Sequence, residues 1–321
     1  MKIILTGGMG FIGSCFLRKL NDVGYTDILI VDNPSDEKEK NVAGKKFRDI
    51  VEKNRFLSII EDNKIEIPDI LIHLGACTST INNECEYMFY NNYYYSLKLA
   101  KWILCRNKRF IYASSAATYG NGEYGFSDED ENTKRLRPLN VYGVSKHLFD
   151  LWLITNGFVD KVTGFKFFNV YGPNEYHKED MRSVVVKAYE EIKKTGKKKL
   201  FKSYRKDIKD GEQKRDFIYV KDVVDVMMFF VEHPEKRGIY NLGTGKARSF
   251  KDLVLAVFHC LKVPPEIEYV DMPSEIDRDK YQYFTQANIS KIRKAGFTEE
   301  FTELEEGVKD YIDYLKNGIY I

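Results

Sequence analysis

A tyrosine and a lysine four residues apart, Tyr142 and Lys146 in YGVSK, have types and a spacing that can do chemistry. On a helix, residues i and i+4 lie on one face, so the ammonium group would stand beside the phenol. A nearby positive charge favours the phenolate and lowers the pKa of a tyrosine from its ordinary value of about 10. The spacing therefore predicts that Tyr142 is an acid or base that works near neutral pH.

Two serines close a strand-like segment upstream, where RFIYASS ends in Ser114 and Ser115. The carboxyl ends of parallel strands border the ligand crevice of a doubly wound sheet. We therefore predict that Ser115 holds a reacting oxygen atom beside Tyr142.

A glycine-rich turn, TGGMGFIG, occupies residues 6–13 and contains Gly7, Gly8, Gly10 and Gly13. It lies between an apolar strand-like segment and a helical one. Glycine permits the sharp turn and lets the backbone approach a pyrophosphate, whose charge is favoured by a helix N-terminus. Asp32 follows about 20 residues later, where an acid accepts a ribose hydroxyl group. Together with Tyr142 and Lys146, this turn predicts a nicotinamide dinucleotide enzyme.

The choice between NAD and NADP stays open on spacing alone. The carboxylate of Asp32 favours NAD because it repels a 2′-phosphate. Lys38 in the adjacent loop and Lys53 further along could neutralise that phosphate, although spacing alone favours two solvated lysines among many.

Strand-like and helical segments alternate along the first half of the chain. Predicted strands cover 2–5, 27–31, 70–74, 109–113 and 162–168, with helices at about 11–23, 84–106 and 139–156. Later strands are predicted at 215–220 and 238–242, and helices at 181–194, 250–261 and about 302–315. This order predicts an α/β fold, a doubly wound parallel (Rossmann) sheet with a smaller C-terminal substrate-binding α/β domain. We place 1–168, about 216–242 and about 285–300 in the first domain, and about 169–215, 243–284 and 301–321 in the second.

Composition excludes several classes of protein. The 321 residues are 43% hydrophobic and 31% charged, which argues against disorder. A net charge of +2, and no recognised motif in the lysine-rich stretch 193–214, argue against nucleic acid as a partner. Five scattered cysteines without a CxxC argue against a metal site and a disulfide framework. No stretch reaches the ~18 apolar residues of a spanning helix, so we expect a cytoplasmic protein without a membrane partner.

Several segments together resemble the extended short-chain dehydrogenase/reductase family, in its NAD-dependent epimerase/dehydratase group. They are LTGGMGFIGS (5–14), YASSAATYG (112–120), PLNVYGVSK (138–146) and RDFIYVKDV (215–223). HLGACTST (73–80), FKFFNVYGPNEYHK (165–178), YNLGTGKARSF (240–250) and YQYFTQA (281–287) are similar to the branch that epimerises ADP-heptose.

The resemblance implies a tightly bound NADP that takes a hydride from C6″ of the heptose and returns it to the opposite face. Two bases would serve the two faces, Tyr142 and Lys178. Lys178 follows the turn at Gly172-Pro173, just after a strand end, which also places it near the crevice. A homo-oligomer, with a pentamer as the suggested size, and a role in making the inner-core heptose of lipopolysaccharide are implied as well.

Further site residues are implied where the chain matches the family's motifs. Those expected to contact NADP are Phe11, Ile12, Asp32, Asn33, Lys38, Lys53, Leu74, Gly75, Ala76, Cys77, Thr78, Asn91, Lys146, Val170 and Lys178. Those expected to contact substrate are Ser115, Asn169, Asp180, Lys187, Phe201, Lys202, Ser203, Tyr204, Arg215 and Tyr281. The guanidinium of Arg215 suits a diphosphate, because it binds phosphate oxygens in pairs.

The chain also departs from the family's pattern around the sugar pocket. Leu74 replaces a glutamate, Asp180 a small hydroxyl residue and Lys187 a histidine, and residues 202–214 include extra residues. A UDP-hexose 4-epimerase, which needs no second base, is therefore an alternative, and a non-catalytic dinucleotide-sensing protein a minor one. A 4,6-dehydratase is disfavoured, since Ala116-Ala117 stands where such enzymes place an acid pair.

Overall fold

The computed structural model describes residues 1–77, 85–273 and 281–321. Its strands are β1 (Ile3–Thr6), β2 (Ile28–Asp32), β3 (Asp49–Glu52), β4 (Ile70–His73), β5 (Arg109–Ser115), β6 (Val162–Phe167), β7 (Asn169–Tyr171), β8 (Lys198–Phe201), β9 (Lys214–Tyr219), β10 (Gly238–Leu242), β11 (Ala247–Ser249) and β12 (Ile267–Val270). Its α-helices are α1 (Phe11–Asp22), α2 (Asp36–Val42), α3 (Lys53–Glu61), α4 (Cys85–Phe89), α5 (Tyr95–Leu104), α6 (Asp130–Thr133), α7 (Val141–Thr155), α8 (Val184–Thr195), α9 (Val220–Glu232), α10 (Phe250–Leu261), α11 (Ser290–Lys294) and α12 (Leu304–Asn317). A π-helical segment, Tyr90–Tyr94, joins α4 to α5, and 3-10 turns cover Ala116–Tyr119, Val159–Lys161 and Tyr176–Met181.

Within the described residues, seven parallel strands form the main sheet in the order β10-β6-β5-β4-β1-β2-β3. The strand order reverses between β1 and β4, which is where ligands bind in open α/β sheets. The predicted doubly wound Rossmann fold is confirmed.

The central strands are mostly apolar, and buried along their whole length, because helices cover both faces of the sheet. β1, β2 and β4 are buried at every position. One face packs against α1 and α9, through residues such as Phe16 and Met227. The other packs against α5 and α7, through residues such as Leu99, Phe149 and Leu153. Because helices pack on both faces, the carboxyl ends of β1, β4 and β5 are held together at one edge of the sheet.

Smaller sheets lie in the second half of the described chain. β7 and β11 flank β9 in one, and β8 pairs with β12 in another. Helices α8, α10 and α12 pack together beside them. The proposed domain boundaries stay predictions. The segment of about 216–242, assigned to the first domain, includes β10, which lies in the main sheet, and most of β9, which lies in the sheet with β7.

The element pattern differs from the sequence expectation in several places. The helix predicted for about 84–106 is interrupted by the π-helical segment, and Glu84 lies outside the described residues. The segments α2, β3 and α3 were not predicted, because charged residues obscure their short apolar pattern and β3 is a half-exposed edge strand. Across the described residues, no helix combines the length and the apolar character needed to cross a membrane.

Candidate active site

The glycine-rich turn joins β1 to α1 and brings the backbone unusually close to its neighbours. Gly7 has a φ of +71°, and a Cβ on Gly13 would lie 2.0 Å from the Gly7 carbonyl oxygen. The Gly10 amide donates to that same oxygen at 3.0 Å. A side chain at Gly13 would therefore open the turn. The first amides of α1, from Phe11 and Ile12 onward, lack helical acceptors and face the turn, which suits a pyrophosphate.

Asp32 ends β2 and is buried, with its carboxylate fixed on both sides. One oxygen accepts from the Met9 amide at 2.9 Å, and the other from the amide of Asn33 and the Lys38 ammonium, each at 2.8 Å. Lys38 also donates to the Asn33 carbonyl at 3.2 Å. Lys38 thus neutralises Asp32 at the place where the sequence predicts an adenosine ribose.

Lys53 begins α3 and reaches the same region from the other side. Its ammonium donates to the side-chain oxygen of Asn91 in the π-helical segment. Burial lowers the pKa of Lys53. The structure therefore brings together two of the predicted cofactor residues that are 38 positions apart.

The segment after β4 lies against the turn. The Leu74 and Gly75 amides donate to the carbonyl and hydroxyl oxygens of Thr6, at 3.0 and 3.2 Å. Ala76 follows, and the Cys77 amide donates to the Asn92 side chain at 2.8 Å. Thr78, which the sequence also predicts to contact cofactor, lies outside the described residues.

The Tyr142 phenol and Ser115 hydroxyl are hydrogen-bonded, as expected for a shared reacting oxygen. Tyr142 lies in the first turn of α7. Asn140 is the N-cap residue of this helix, and its side chain accepts from the Gly143 amide at 2.8 Å. The Lys146 ammonium donates to the Ala113 carbonyl at 2.9 Å. All three groups therefore meet at the end of β5.

The predicted lowering of the Tyr142 pKa is wrong for this arrangement. Burial raises that pKa, and the hydrogen bond with Ser115 offsets the rise only in part. Burial also lowers the pKa of Lys146 to about 8. Desolvation disfavours the charged form of both groups, and it outweighs the attraction that spacing on a helix suggests.

Lys178 lies in the 3-10 turn Tyr176–Met181 and points to the cofactor turn, with its ammonium 5.3 Å from the centre of the Phe11 ring. Burial lowers the pKa of Lys178, the Glu175 carboxylate raises it, and Lys187 on α8 lowers it further. This lysine therefore has the surroundings of a base, and it lies beside the glycine-rich turn.

The predicted substrate residues form a second cluster. Arg215 is buried on β9, with its guanidinium carbon 5.3 Å from the centre of the Tyr281 ring. Tyr281 contacts Tyr283, whose hydroxyl accepts from the Tyr204 amide at 3.3 Å. Arg215 donates to the Gln282 carbonyl, and the Gln282 amide donates to the Gly120 carbonyl at 2.6 Å. The cluster is thereby joined to the 3-10 turn that follows Ser115.

The other predicted substrate residues lie around this cluster. Phe201 ends β8, and the Lys202 amide donates to the Val270 carbonyl at 2.8 Å. The Ser203 amide donates to the Asp210 carboxylate at 2.7 Å. Asn169 and Val170 lie on β7, where Asn169 is opposite Phe217 of β9. The side chain of Asp180, which the sequence also predicts to contact substrate, lies outside the described part of the structure.

Sequence reasoning missed five buried polar residues around the site. Asn92 holds Cys77 and Ser145, and His73 lies between Thr6 and Ser96, 2.6 and 2.8 Å from their hydroxyls. The Asn41 amide donates to the Met9 carbonyl at 2.9 Å and contacts His177. Asp150 and Lys166 form an ion pair with no exposed surface. The useful signal was their position: polar residues inside apolar, periodic segments.

Cavity volume alone does not locate the site. Two surface hollows, of about 710 and 420 Å³, lie beside α10 and beside α9, and neither is lined by a predicted site residue. Among the described residues, no group of three or more His, Cys, Asp or Glu side chains is arranged to hold a metal ion.

Comparison with known proteins agrees with this geometry. Residues 3–243 match the model of the NAD dependent epimerase/dehydratase family. The ADP-L-glycero-D-manno-heptose-6-epimerase of Nitratidesulfovibrio vulgaris strain DP4 is 49% identical over 311 residues, 96% of each chain. The enzyme of that name from Fusobacterium nucleatum is 45% identical, covering 97% of this chain and 96% of its own.

Solved structures give the same result. The Helicobacter pylori ADP-L-glycero-D-manno-heptose-6-epimerase superposes with a TM-score of 0.82 at 28% identity, covering 98% of this chain and 96% of its own. The range 3–243 that matches the family model contains the glycine turn, Ser115, Tyr142 and Lys146. The chain therefore belongs to the NAD dependent epimerase/dehydratase family, as an epimerase.

Proposed function

We propose that this epimerase converts ADP-D-glycero-D-manno-heptose into ADP-L-glycero-D-manno-heptose, with tightly bound NADP, and that the product supplies lipopolysaccharide inner-core heptose. When bound, the dinucleotide would supply reversible hydride transfer at C6″, from one face and back to the other, so that none of it is consumed. Relatives of 45–49% identity that bear this activity's name support the choice of sugar.

The chain's own groups would move protons on the two faces of C6″. Tyr142, fixed by Ser115, would exchange a proton with the sugar oxygen from the β5 side. Lys178 would do so from the side of Phe11. The Arg215 guanidinium, buried beside Tyr281, would bind the diphosphate. Arg215 would thus anchor the diphosphate while the C6″ end of the sugar rotates to present its opposite face.

The observation that carries the proposal is the placement of Lys178. It is a lysine with a lowered pKa beside the cofactor turn, which an epimerase that uses one base does not require. A lowered pKa increases the share of free amine at a given pH, and a free amine can accept a proton, so Lys178 can be the second acceptor that two-faced chemistry needs.

The test is turnover of ADP-D-glycero-D-manno-heptose by the pure protein, followed at C6″ by NMR. We expect Tyr142→Phe and Lys178→Met each to lower kcat at least 10³-fold, on the order of what a positioned acid or base contributes. Both variants should retain the dinucleotide. The exposed residues Tyr94 and Lys194 provide matched controls, as Tyr94→Phe and Lys194→Met.

Two results would contradict the proposal. No change at C6″ with the wild-type protein would redirect the assignment to UDP-hexoses, which should be assayed in parallel. If Lys178→Met turned over substrate at the wild-type rate, Lys178 would not be a second base, and the UDP-hexose alternative would be favoured.

The proposal of NADP depends on Lys38 and Lys53. Because Lys38 already pairs with Asp32, the carboxylate's repulsion of a 2′-phosphate is reduced. We expect denatured wild-type protein to release NADP, and Lys38→Met or Lys53→Met to weaken NADP binding by roughly tenfold more than NAD binding. Lys40→Met, on the exposed side of α2, is the control. Release of NAD alone would contradict the role of both lysines.

A further inference from the structure

A buried ion pair lies directly behind the candidate catalytic group. Asp150 of α7 and Lys166 of β6 are both fully buried, with 2.6 Å between carboxylate and ammonium. The proposed chemistry assigns neither of them a role. Burying two charges costs more free energy than an apolar pair would, so such a pair points to a purpose other than stability.

The Asp150 carboxylate binds the end of β5. One oxygen accepts from the Tyr112 hydroxyl at 2.8 Å, and the other from the Ser114 hydroxyl at 2.7 Å. Side chains alternate along a strand, so Ala113 and Ser115 belong to the opposite face. The Ala113 carbonyl holds Lys146, and Ser115 holds Tyr142. One carboxylate thus fixes the strand positions that hold both catalytic candidates.

The same carboxylate also acts on Lys146 through its charge. Lys146 and Asp150 are one helical turn apart on α7, and Asp150 raises the pKa of the buried lysine, opposing desolvation. Lys166, which is opposite Ser114 in the sheet register, opposes this effect by pairing with Asp150.

We propose that the Asp150–Lys166 pair is a positioning device for the catalytic group. The Asp150 carboxylate fixes the β5 end that carries Ser115 and supplies the negative charge that faces Lys146, and Lys166 limits that charge. The inference rests on the proposed roles of Tyr142 and Lys146.

Other polar and titratable groups surround the Asp150–Lys166 pair, and their charges bear on the test. Thr118 accepts from Lys166 at 2.9 Å, and the Lys166 ammonium lies 5.3 Å from the centre of the Tyr119 ring. Burial raises the pKa of Tyr112 and of Tyr119 and lowers that of His147, so all three are uncharged near neutral pH. The neighbouring carboxyl group of Asp130 acts on Tyr112, and its pKa is raised by burial.

The sign of the charge effect gives the test. Asp150→Asn removes negative charge, so the pKa of Lys146 should fall by about one unit; Lys166→Met removes positive charge, so it should rise by about as much. The pKa is measured by NMR with ¹³Cε-labelled lysine, and Lys146→Met identifies the resonance. In turnover assays, the alkaline limb of the kcat profile should move to lower pH in Asp150→Asn and to higher pH in Lys166→Met.

Matched controls and a double variant keep the test independent of folding. Asp160→Asn and Lys161→Met make the same changes at exposed positions and should shift nothing. If Asp150→Asn does not fold, Asp150→Asn/Lys166→Met removes both charges and should return the Lys146 pKa close to the wild-type value. Lys166→Met alone still reports the predicted rise.

Shifts in the same direction for both charge variants, or no shift in either, would overturn the inference even if kcat fell. The NMR titration needs no substrate, so failure of the wild-type protein to act on ADP-heptose would contradict the proposed function alone.

Discussion

At the scale of single residues, burial shifts the pKa values of the two proposed bases in opposite directions, because it disfavours the charged form of both. It raises the pKa of the Tyr142 phenol and lowers that of the Lys178 ammonium. Near neutral pH the tyrosine is therefore held as a proton donor, and the lysine is moved towards the free amine. Two titratable groups with opposite tendencies are what acid and base roles on two faces of one carbon require.

The Glu175 carboxylate opposes the effect of burial on Lys178, which gives a pH prediction. In Glu175→Gln the pKa of Lys178 should fall further, because a stabilising negative charge is lost. The free amine is the base, so kcat rises as pH passes upward through that pKa. The ascending limb of the kcat profile should move to lower pH by up to about one unit.

The Glu175 carboxylate accepts from the Ser183 amide and hydroxyl at 2.6 Å each; the glutamine oxygen can still accept from the amide, and its NH2 group can donate to the hydroxyl oxygen. Glu179→Gln, an exposed change in the same turn, is the control and should leave the limb in place. A limb that moved to higher pH in Glu175→Gln would show that a group other than Lys178 governs it.

At the scale of elements, the helices around the substrate cluster depend on local caps. The Ser249 hydroxyl accepts from the Asp252 amide at 3.0 Å, and the Asp252 carboxylate accepts from the Ser249 amide at 3.0 Å, so α10 begins with a capping box. This signature, Ser-x-x-Asp before an apolar periodic segment, can be read from sequence. α10 was predicted with its observed bounds, Phe250–Leu261.

Ser249→Ala should lower the free energy of unfolding by about 1 kcal/mol, because a helix amide loses its acceptor. The measurement is the midpoint of urea unfolding, followed by circular dichroism. Ser35→Ala provides the comparison: Ser35 is also an N-cap residue, at α2, but its side chain makes no capping hydrogen bond. Equal losses in the two variants would show that the cap contributes nothing specific.

At the scale of the whole molecule, one buried carboxylate joins segments that are distant in sequence. Asp216 of β9 accepts from the Thr244 amide and hydroxyl at 2.7 Å each, and from the Gly245 and Ala287 amides at 2.9 Å each. These bonds hold the loop between β10 and β11, and the segment after Tyr281, against the strand that carries Arg215. The substrate cluster therefore depends on tertiary contacts.

Asp216→Asn should destabilise the fold by about 3 kcal/mol, because an amide group would face donors that now have an acceptor. Denaturant unfolding measures the loss. Asp313→Asn, the same change at an exposed position of α12, should cost less than about 0.5 kcal/mol. An Asp216→Asn variant as stable as wild type would mean that these segments are held by packing alone.

The sequence by itself determined the features whose partners are close along the chain. The glycine turn, Asp32 at the next strand end, the spacing of Tyr142 and Lys146, and the alternation of strands and helices all follow from local periodicity. They were enough for the fold class and the dinucleotide chemistry. The weakly patterned segment α2-β3-α3 was missed because its place at the sheet edge gives it little buried apolar surface.

Only the tertiary structure decided how the chemical groups are charged and which distant residues hold them. Tyr142 and Lys146 have the predicted spacing, yet desolvation by the surrounding chain, and not their proximity, sets the direction of both pKa shifts. Asp150 and Lys166 meet only because α7 packs on the sheet. Burial is a property of the packed chain, and the electrostatic free energy of a charge depends on burial more than on neighbours in sequence.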